Sequence, residues 1–189
     1  GVLDDFKRRK DAFITDQLAL PGRCTIRLSD FDTVYREIYP SVPLDRAPYY
    51  TLEPRGGTAL LDGIGRMVVD FGAELATMAE PDRPDKVLVV VQTDGEENSS
   101  KDWAREQVFD LITRQREDYN WEFVFLGANQ DAITAGASMG FSPDSSLAFA
   151  ATTAGVTNTA ANLSAYATRY RGKGSTTFTE EERASSTGS

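Results

Sequence analysis

The 189-residue sequence contains no histidine. That absence removes His-based triads and general bases, His-iron centres, zinc deaminases and the H-E-x-x-H zinc site. Any chemistry would rest on carboxylates, Lys, Tyr, Ser or Thr. The single cysteine, Cys24, forms neither an internal disulfide nor a thiolate cluster, so no disulfide framework argues for secretion. The longest aliphatic run, Val87-Leu88-Val89-Val90-Val91, falls far short of the roughly 18 residues of a membrane helix, and the N-terminus lacks a signal-peptide pattern. The expected location is the cytoplasm or a virion, with no membrane partner. Cations are also scarce, with 20 Lys+Arg against 29 Asp+Glu and a net charge of −9. That balance disfavours nucleic acid as a partner. The local exception, Lys7-Arg8-Arg9-Lys10, reads as the solvated face of a helix.

At roughly 100–200 residues per domain, the chain has room for one sizeable core and a short tail. Leu3, Phe6, Phe13, Ile14 and Leu18 keep helical spacing until Pro21-Gly22 stops them. Alternation over Cys24–Ser29 and again from Val34 to Tyr39 predicts an antiparallel hairpin turning at Asp30–Thr33. After a proline-rich crossing, Gly56-Gly57-Thr58 opens a helix with Leu60, Leu61, Ile64, Met67, Val68, Phe71, Leu75 and Met78 on one stripe. Lys86–Thr93 is apolar without alternation, as expected of a central parallel strand covered on both faces. A helix from Trp103 to about Glu117, a strand over Trp121–Leu126 and a helix over Gln130–Met139 follow, the last closed by Gly140. A short strand at Ser146–Ala150 and an Ala-rich helix at Thr157–Tyr170 lead to a Ser/Thr/Gly-rich end. That end reads as a flexible tail over 172–189, with Thr179 and Glu182 spaced for a capping box. Strands alternating with helices predict an α/β open sheet with one antiparallel edge strand.

In open α/β sheets ligands bind beyond the carboxyl ends of the strands, which makes Asp94 in Thr93-Asp94-Gly95-Glu96-Glu97-Asn98 the first site candidate. Thr58, after two glycines and before a strong helix, is the second. A hydroxyl and a carboxylate are hard oxygen ligands suited to Mg²⁺, Mn²⁺ or Ca²⁺. Spacing alone is also satisfied if Thr58 only caps its helix and Asp94-Gly95 only turns the chain.

Three segments in order carry a resemblance: Pro54-Arg55-Gly56-Gly57-Thr58-Ala59-Leu60-Leu61-Asp62; Asp85-Lys86-Val87 through Thr93-Asp94-Gly95-Glu96-Glu97-Asn98-Ser99; and Trp121-Glu122-Phe123-Val124-Phe125-Leu126-Gly127-Ala128-Asn129. Together they resemble a von Willebrand factor type A (vWA) domain of the bacterial and phage kind. The likeness is strongest over 1–150, within a domain expected to span 1–171. It implies a Rossmann-like, doubly wound, mostly parallel sheet with helices on both faces. It also implies a metal-ion-dependent adhesion site built from Asp-x-Ser-x-Ser, a separate Thr and a separate Asp. The Thr falls on Thr58 and the Asp on Asp94. Asp-x-Ser-x-Ser, which ends the family's first strand, is missing here, since the chain begins at Gly1 with what resembles the following helix. The resemblance places that strand centrally, between Cys24–Ser29 and Lys86–Thr93, so its loss is expected to split the sheet. Edge groups left unsatisfied cost roughly 1–3 kcal/mol each against a total stability of about 5–15 kcal/mol. The sequence therefore reads as a fragment or processed product, completed by upstream residues or by a strand from another chain. Without the serines, Mg²⁺, Mn²⁺ or Ca²⁺ is expected to bind weakly or not at all.

The other motifs fit simpler explanations. Gly172-Lys173-Gly174-Ser175 fails the phosphate-loop pattern, and Gly63-Ile64-Gly65 lies in a helical stripe, where close packing accounts for it. Glu96 and Glu97 beside Asp94 offer paired carboxylates, but no nucleophile or oxyanion donor can be placed near them. Asp30 and Asp32 fit hairpin-turn chemistry. Trp103, Trp121, Phe123 and Phe125 read as core. The resulting expectation is a non-catalytic protein-interaction domain that in complete form captures a partner's acidic side chain through a divalent ion. A structural component of a phage particle, using the fold as a metal-independent scaffold, is the alternative. A hydrolase or nucleotide-binding enzyme ranks behind both.

Overall fold

The computed structural model describes residues 11–48, 50, 56–128 and 131–188. The basic cluster at 7–10, the start of the first predicted helix, Pro54-Arg55, Asn129 and Gln130 lie outside them. The elements are helix α1 (residues 11–18), strands β1 (Thr25–Phe31) and β2 (Tyr35–Pro43), α2 (Leu60–Thr77), β3 (Leu88–Thr93), α3 (Arg105–Tyr119), β4 (Glu122–Ala128), α4 (Ala132–Ala137), β5 (Ser146–Phe149), α5 (Thr153–Gly172) and α6 (Glu180–Thr187). The architecture is α/β, with helices around two separate sheets. β1 and β2 pair antiparallel, while β3, β4 and β5 form a parallel sheet in that order. The antiparallel strand thus belongs to its own two-stranded sheet and does not edge the parallel one.

β4, paired on both sides, is buried at every position from Phe123 to Ala128. β3 departs from the expectation of cover on both faces. Val89, Val91 and Thr93 are buried, whereas Val90 is 36% exposed and Gln92 is open to solvent. Its apolar run was misleading because, on the face of Val90 and Gln92, the cluster closed by Tyr166 and Phe178 lies chiefly over β4 and β5. No residue of β1 is fully buried.

Helix α2 joins the two sheets. Its Leu60, Leu61, Ile64 and Val68 share one apolar cluster with Val89 and Val91 of β3, and Phe31 of β1 packs against that cluster. Both strands run opposite to α2. Phe31 lies against Gly63 near the start of the helix, whereas Arg27 pairs with Glu74 near its end. Likewise Leu61 meets the loop that follows β3, while Phe71 contacts Trp121, whose neighbour Glu122 donates its N–H to Val87 just before β3. β1 and β3 are therefore parallel to each other, under one helix, without pairing. Glycine inside a helix costs about 1 kcal/mol relative to alanine, and α2 carries it where neighbours press in. A Cβ at Gly65 would lie 2.2 Å from the Trp103 ring, and one at Gly63 would lie 2.8 Å from Phe31.

The opposite face of the parallel sheet is closed by Tyr166 and Phe178, packed with Val124, Leu126, Leu147 and Phe149. Tyr166 donates to the Glu122 carboxylate at 2.6 Å. Burial, and then that carboxylate, push the tyrosine's pKa up; burial also raises Glu122. α1 leans on α5 through Gln17 with Ser164 and Thr168, and through Asp16, which accepts from Ser164 at 2.6 Å.

The end of the chain, expected as a flexible tail from 172, is ordered by specific contacts. Thr179 and Glu182 do form a capping box at the start of α6. Arg169 pairs with Glu182 at 2.7 Å, and Arg183 donates to the carbonyls of Ser146, Pro143 and Asp144. Composition pointed to a linker because the anchoring residues, Phe178 and Arg183, are few and find partners far away in sequence. Phe178 is 2% exposed, with its ring 4.7 Å from that of Tyr166. Replacing Phe178 with Ala should therefore cost about 3–5 kcal/mol in urea unfolding. A cost below about 0.5 kcal/mol, typical of surface positions, would mean that the end of the chain is not part of the core.

Candidate functional site

The rim at the carboxyl end of β3 is built by three segments. β3 stops at Thr93, whose hydroxyl donates to Gly95 O at 2.8 Å and accepts from Gly95 N at 3.2 Å, turning the chain back. The loop that follows is fastened to the entry of α2 mostly by side-chain oxygens. Glu97 accepts from Leu61 N at 2.9 Å, from Ser99 N at 3.0 Å, and from both the N–H and the hydroxyl of Ser100 at 2.8 and 2.7 Å. Asn98 and Thr58 exchange bonds: Thr58 N donates to Asn98 Oδ1 at 2.9 Å and Asn98 N to Thr58 O at 3.1 Å. Asp62, in the first turn of α2, accepts from the N–H groups of Lys101, Asp102 and Trp103.

Thr58 does not cap its helix. The N-cap position is Ala59, without a side-chain cap, and Glu97 and Ser100 serve the amides of Leu61 and Asp62 from across the rim. The Thr58 hydroxyl instead lies against Gly95, where an added Cβ would be 2.6 Å from it. This close approach is what Gly95 permits, and it sets the hydroxyl next to the residue adjoining Asp94. Asp94 itself is exposed at the end of β3. Thr58 and Asp94 thus belong to one rim.

The hairpin reaches the same place. Asp32 O accepts from Ala59 N at 2.7 Å, and its carboxylate takes the Val34 N–H and the Arg36 guanidinium, each at 2.7 Å. The Arg36 bond chiefly holds the Asp32 carboxyl far below the usual range. Turn chemistry accounts for this aspartate, as its sequence position suggests. Glu97, by contrast, is a fastener. Burial alone would push its carboxyl up, but the N–H groups of Ser100 and Leu61, the Ser100 hydroxyl and the Ser99 N–H outweigh burial and hold it below 4.5. Sequence reasoning missed the fastening roles of Glu97, Asn98 and Asp62. Their one signal was the proximity of 94–98 to a strand end, because the amides they serve across the rim lie 36 to 41 residues away.

Thr58 and Asp94 are hard oxygen donors of the kind Mg²⁺, Mn²⁺ and Ca²⁺ accept. Among the described residues, however, no three Asp, Glu, His or Cys come together to hold a cation. The donors fit such an ion in kind and fall short in number, because these ions take about six or more ligands. Two surface hollows lie elsewhere. One, at the opposite end of the sheet, is lined by Thr113, Arg116, Glu117, Asn120, Trp121 and Glu122; the other sits between the end of α1 and Cys24, Pro43 and Leu44. Among the described residues, no helix is long and apolar enough to cross a membrane. No family model, no curated protein and no solved structure matches the chain.

Glu97 gives the rim a pH dependence of definite sign. Because its carboxyl is lowered on folding, its contribution is present above 4.5 and is lost as pH falls from there toward the folded value. Glu97→Gln should cost about 1–3 kcal/mol in urea unfolding at neutral pH. The gap to wild type should shrink in acid; a constant or widening gap would contradict the assignment.

Proposed function

We propose that the chain is a non-catalytic protein-interaction domain of the vWA kind, docking an acidic side chain of a partner protein at the rim through a divalent ion. The observation carrying this reading is that the Thr58 hydroxyl lies against Gly95, beside Asp94, at the carboxyl end of a parallel strand. Two independent loops meet there, as the resemblance implies for this Thr and this Asp. An ion held on the rim supplies positive charge at a fixed point, and a partner carboxylate completes its shell, which makes docking cation-dependent and selective for acidic groups. The rim's carboxylates also favour docking over turnover. Glu97 is consumed by four hydrogen bonds, and both hollows lie away from Asp94.

Thr58 and Asp94 would hold the ion together with water and a segment bearing Asp-x-Ser-x-Ser. The shortage of ligands in residues 1–189 also favours a second reading, a metal-independent docking scaffold such as a particle component. Calorimetry separates the two. Residues 1–189 should give no saturable Mg²⁺ or Mn²⁺ heat, whereas the same chain extended at Gly1 by a strand ending in Asp-x-Ser-x-Ser should bind at micromolar concentration. Thr58→Ala and Asp94→Ala should each weaken binding by about tenfold or more, roughly 1.4 kcal/mol. Failure of the extended chain to bind, or partner docking that persists in EDTA, would leave the scaffold reading.

A further inference from the structure

Tyr166 of α5 is fully buried in the cluster that closes the second face of the parallel sheet. Its hydroxyl stands between two acceptors, Glu122 Oε1 at 2.6 Å and the main-chain oxygen of Thr176 at 3.0 Å. A phenol has a single hydrogen to give. Among the described residues no other donor reaches Thr176 O, and the Ser145 hydroxyl beside Tyr166 donates to Ser142 O at 3.3 Å. While Glu122 is ionised the group is therefore one hydrogen short. Tyr166 then gives its hydrogen to the carboxylate, the stronger acceptor, and Thr176 O loses its donor. A proton on Glu122 supplies what is missing, because the carboxyl then donates to the Tyr166 oxygen and Tyr166 donates to Thr176 O.

The surroundings favour that proton. Glu122 is half-buried at the start of β4, and burial raises its pKa above 4.5 against the opposing pulls of the Tyr166 hydrogen bond and the Arg116 charge. Arg116, from α3, is shared with Gly140 O, to which it donates at 3.2 Å. Glu117 lines the same hollow as Glu122 and brings charge of the same sign. From α5, Tyr170 acts on Glu122 as a neutral phenol that donates to Val87 O at 3.1 Å, with Lys86 lying 5.2 Å from its ring and donating to Arg171 O. Arg169 lies 5.8 Å from the Tyr166 ring and is committed to Glu182 at 2.7 Å.

We propose that Glu122, Tyr166 and Thr176 form a proton-operated clasp, closed while Glu122 holds a proton and opened when it ionises, which sets how firmly the connection between α5 and α6 sits on the parallel sheet. Opening turns Thr176 O toward water, next to Phe178, the residue that anchors this connection in the core. The sign follows from the direction of the shift. Glu122 binds its proton more tightly in the folded chain, so the clasp contributes fully below 4.5 and is lost as pH rises from there through the folded value. This inference involves no metal and does not rest on the docking function proposed above.

A carbon-detected NMR titration of residues 1–189 tests it. The Glu122 carboxyl carbon and the Thr176 carbonyl carbon should shift together, with one midpoint above 4.5. The carbonyls of Ser175 and Thr177, which accept from Arg169 at 3.2 and 3.1 Å and not from Tyr166, should stay nearly fixed. Glu122→Gln, whose amide donates to the Tyr166 oxygen in place of the proton, should hold the Thr176 signal at its acid position throughout. Tyr166→Phe should abolish the Thr176 step while Glu122 still titrates. A Glu122 midpoint at or below 4.5, or a Thr176 signal that stays still while Glu122 titrates, would overturn the proposal in the unaltered chain, whatever the variants do. So would a Thr176 step that survives in Glu122→Gln, or one matched in size at Ser175 and Thr177, which would mark a general loosening of the segment.

Discussion

The fold depends on the inner face of α2. The two sheets share no hydrogen-bonded ladder, so what holds the hairpin to the parallel sheet on this side is apolar contact through one helix, together with the Arg27–Glu74 pair and the Ala59–Asp32 backbone bond. Non-directional burial fixes which surfaces meet more firmly than how far apart they stand. β1 accordingly has no fully buried residue and β3 buries only alternate positions, while β4, gripped by ladders on both sides, is buried from Phe123 to Ala128. The glycines at 63 and 65 let Phe31 and Trp103 come close enough for one helix to serve both sides.

The same helix organises the rim. Its first turn has amides with no partner inside the helix, and a carboxylate from another loop is a strong acceptor for them, doubly so at the positive end of the helix dipole. Glu97 takes that role, while Asp62 returns the favour by ordering the 101–103 backbone. With Glu97 and Asp62 committed to fastening, Asp94 and Glu96 are the exposed carboxylates of the loop, and the half-buried Thr58 hydroxyl lies against Gly95. A rim of this kind is stiffly fastened and set apart from the two hollows lined by Trp121 and by Cys24.

Much of the architecture was legible along the chain. The hairpin showed in the alternation of residues 24–39, α2 in its apolar stripe, β4 in its aromatic run, and the capping box at Thr179 and Glu182 in four letters of sequence. The expected division of the sheet is also what the strands display. The readings that changed all turned on partners remote in sequence. β3 looked doubly covered because composition does not record that the elements closing the face of Val90 pack chiefly over β4 and β5. Thr58 looked like a cap because the true acceptor, Glu97, lies 36 residues beyond the amide that it serves. Residues past 172 looked like a tail because Ser and Thr predominate there, although Phe178 and Arg183 suffice to dock them.

By itself, the amino-acid order determined what is local: which stretches become helix or strand, where charge and hydroxyls cluster, and which chemistries the absence of histidine removes. Periodicity and capping act over a few residues, so they can be read without coordinates. Only the tertiary structure decided that Thr58 stands against Gly95, that Glu97 belongs to the scaffold, and that the hairpin meets the parallel sheet through the face of one helix. Each of these depends on contacts between segments brought together by burial of a shared apolar face, and such burial has no signature at any fixed spacing along the chain.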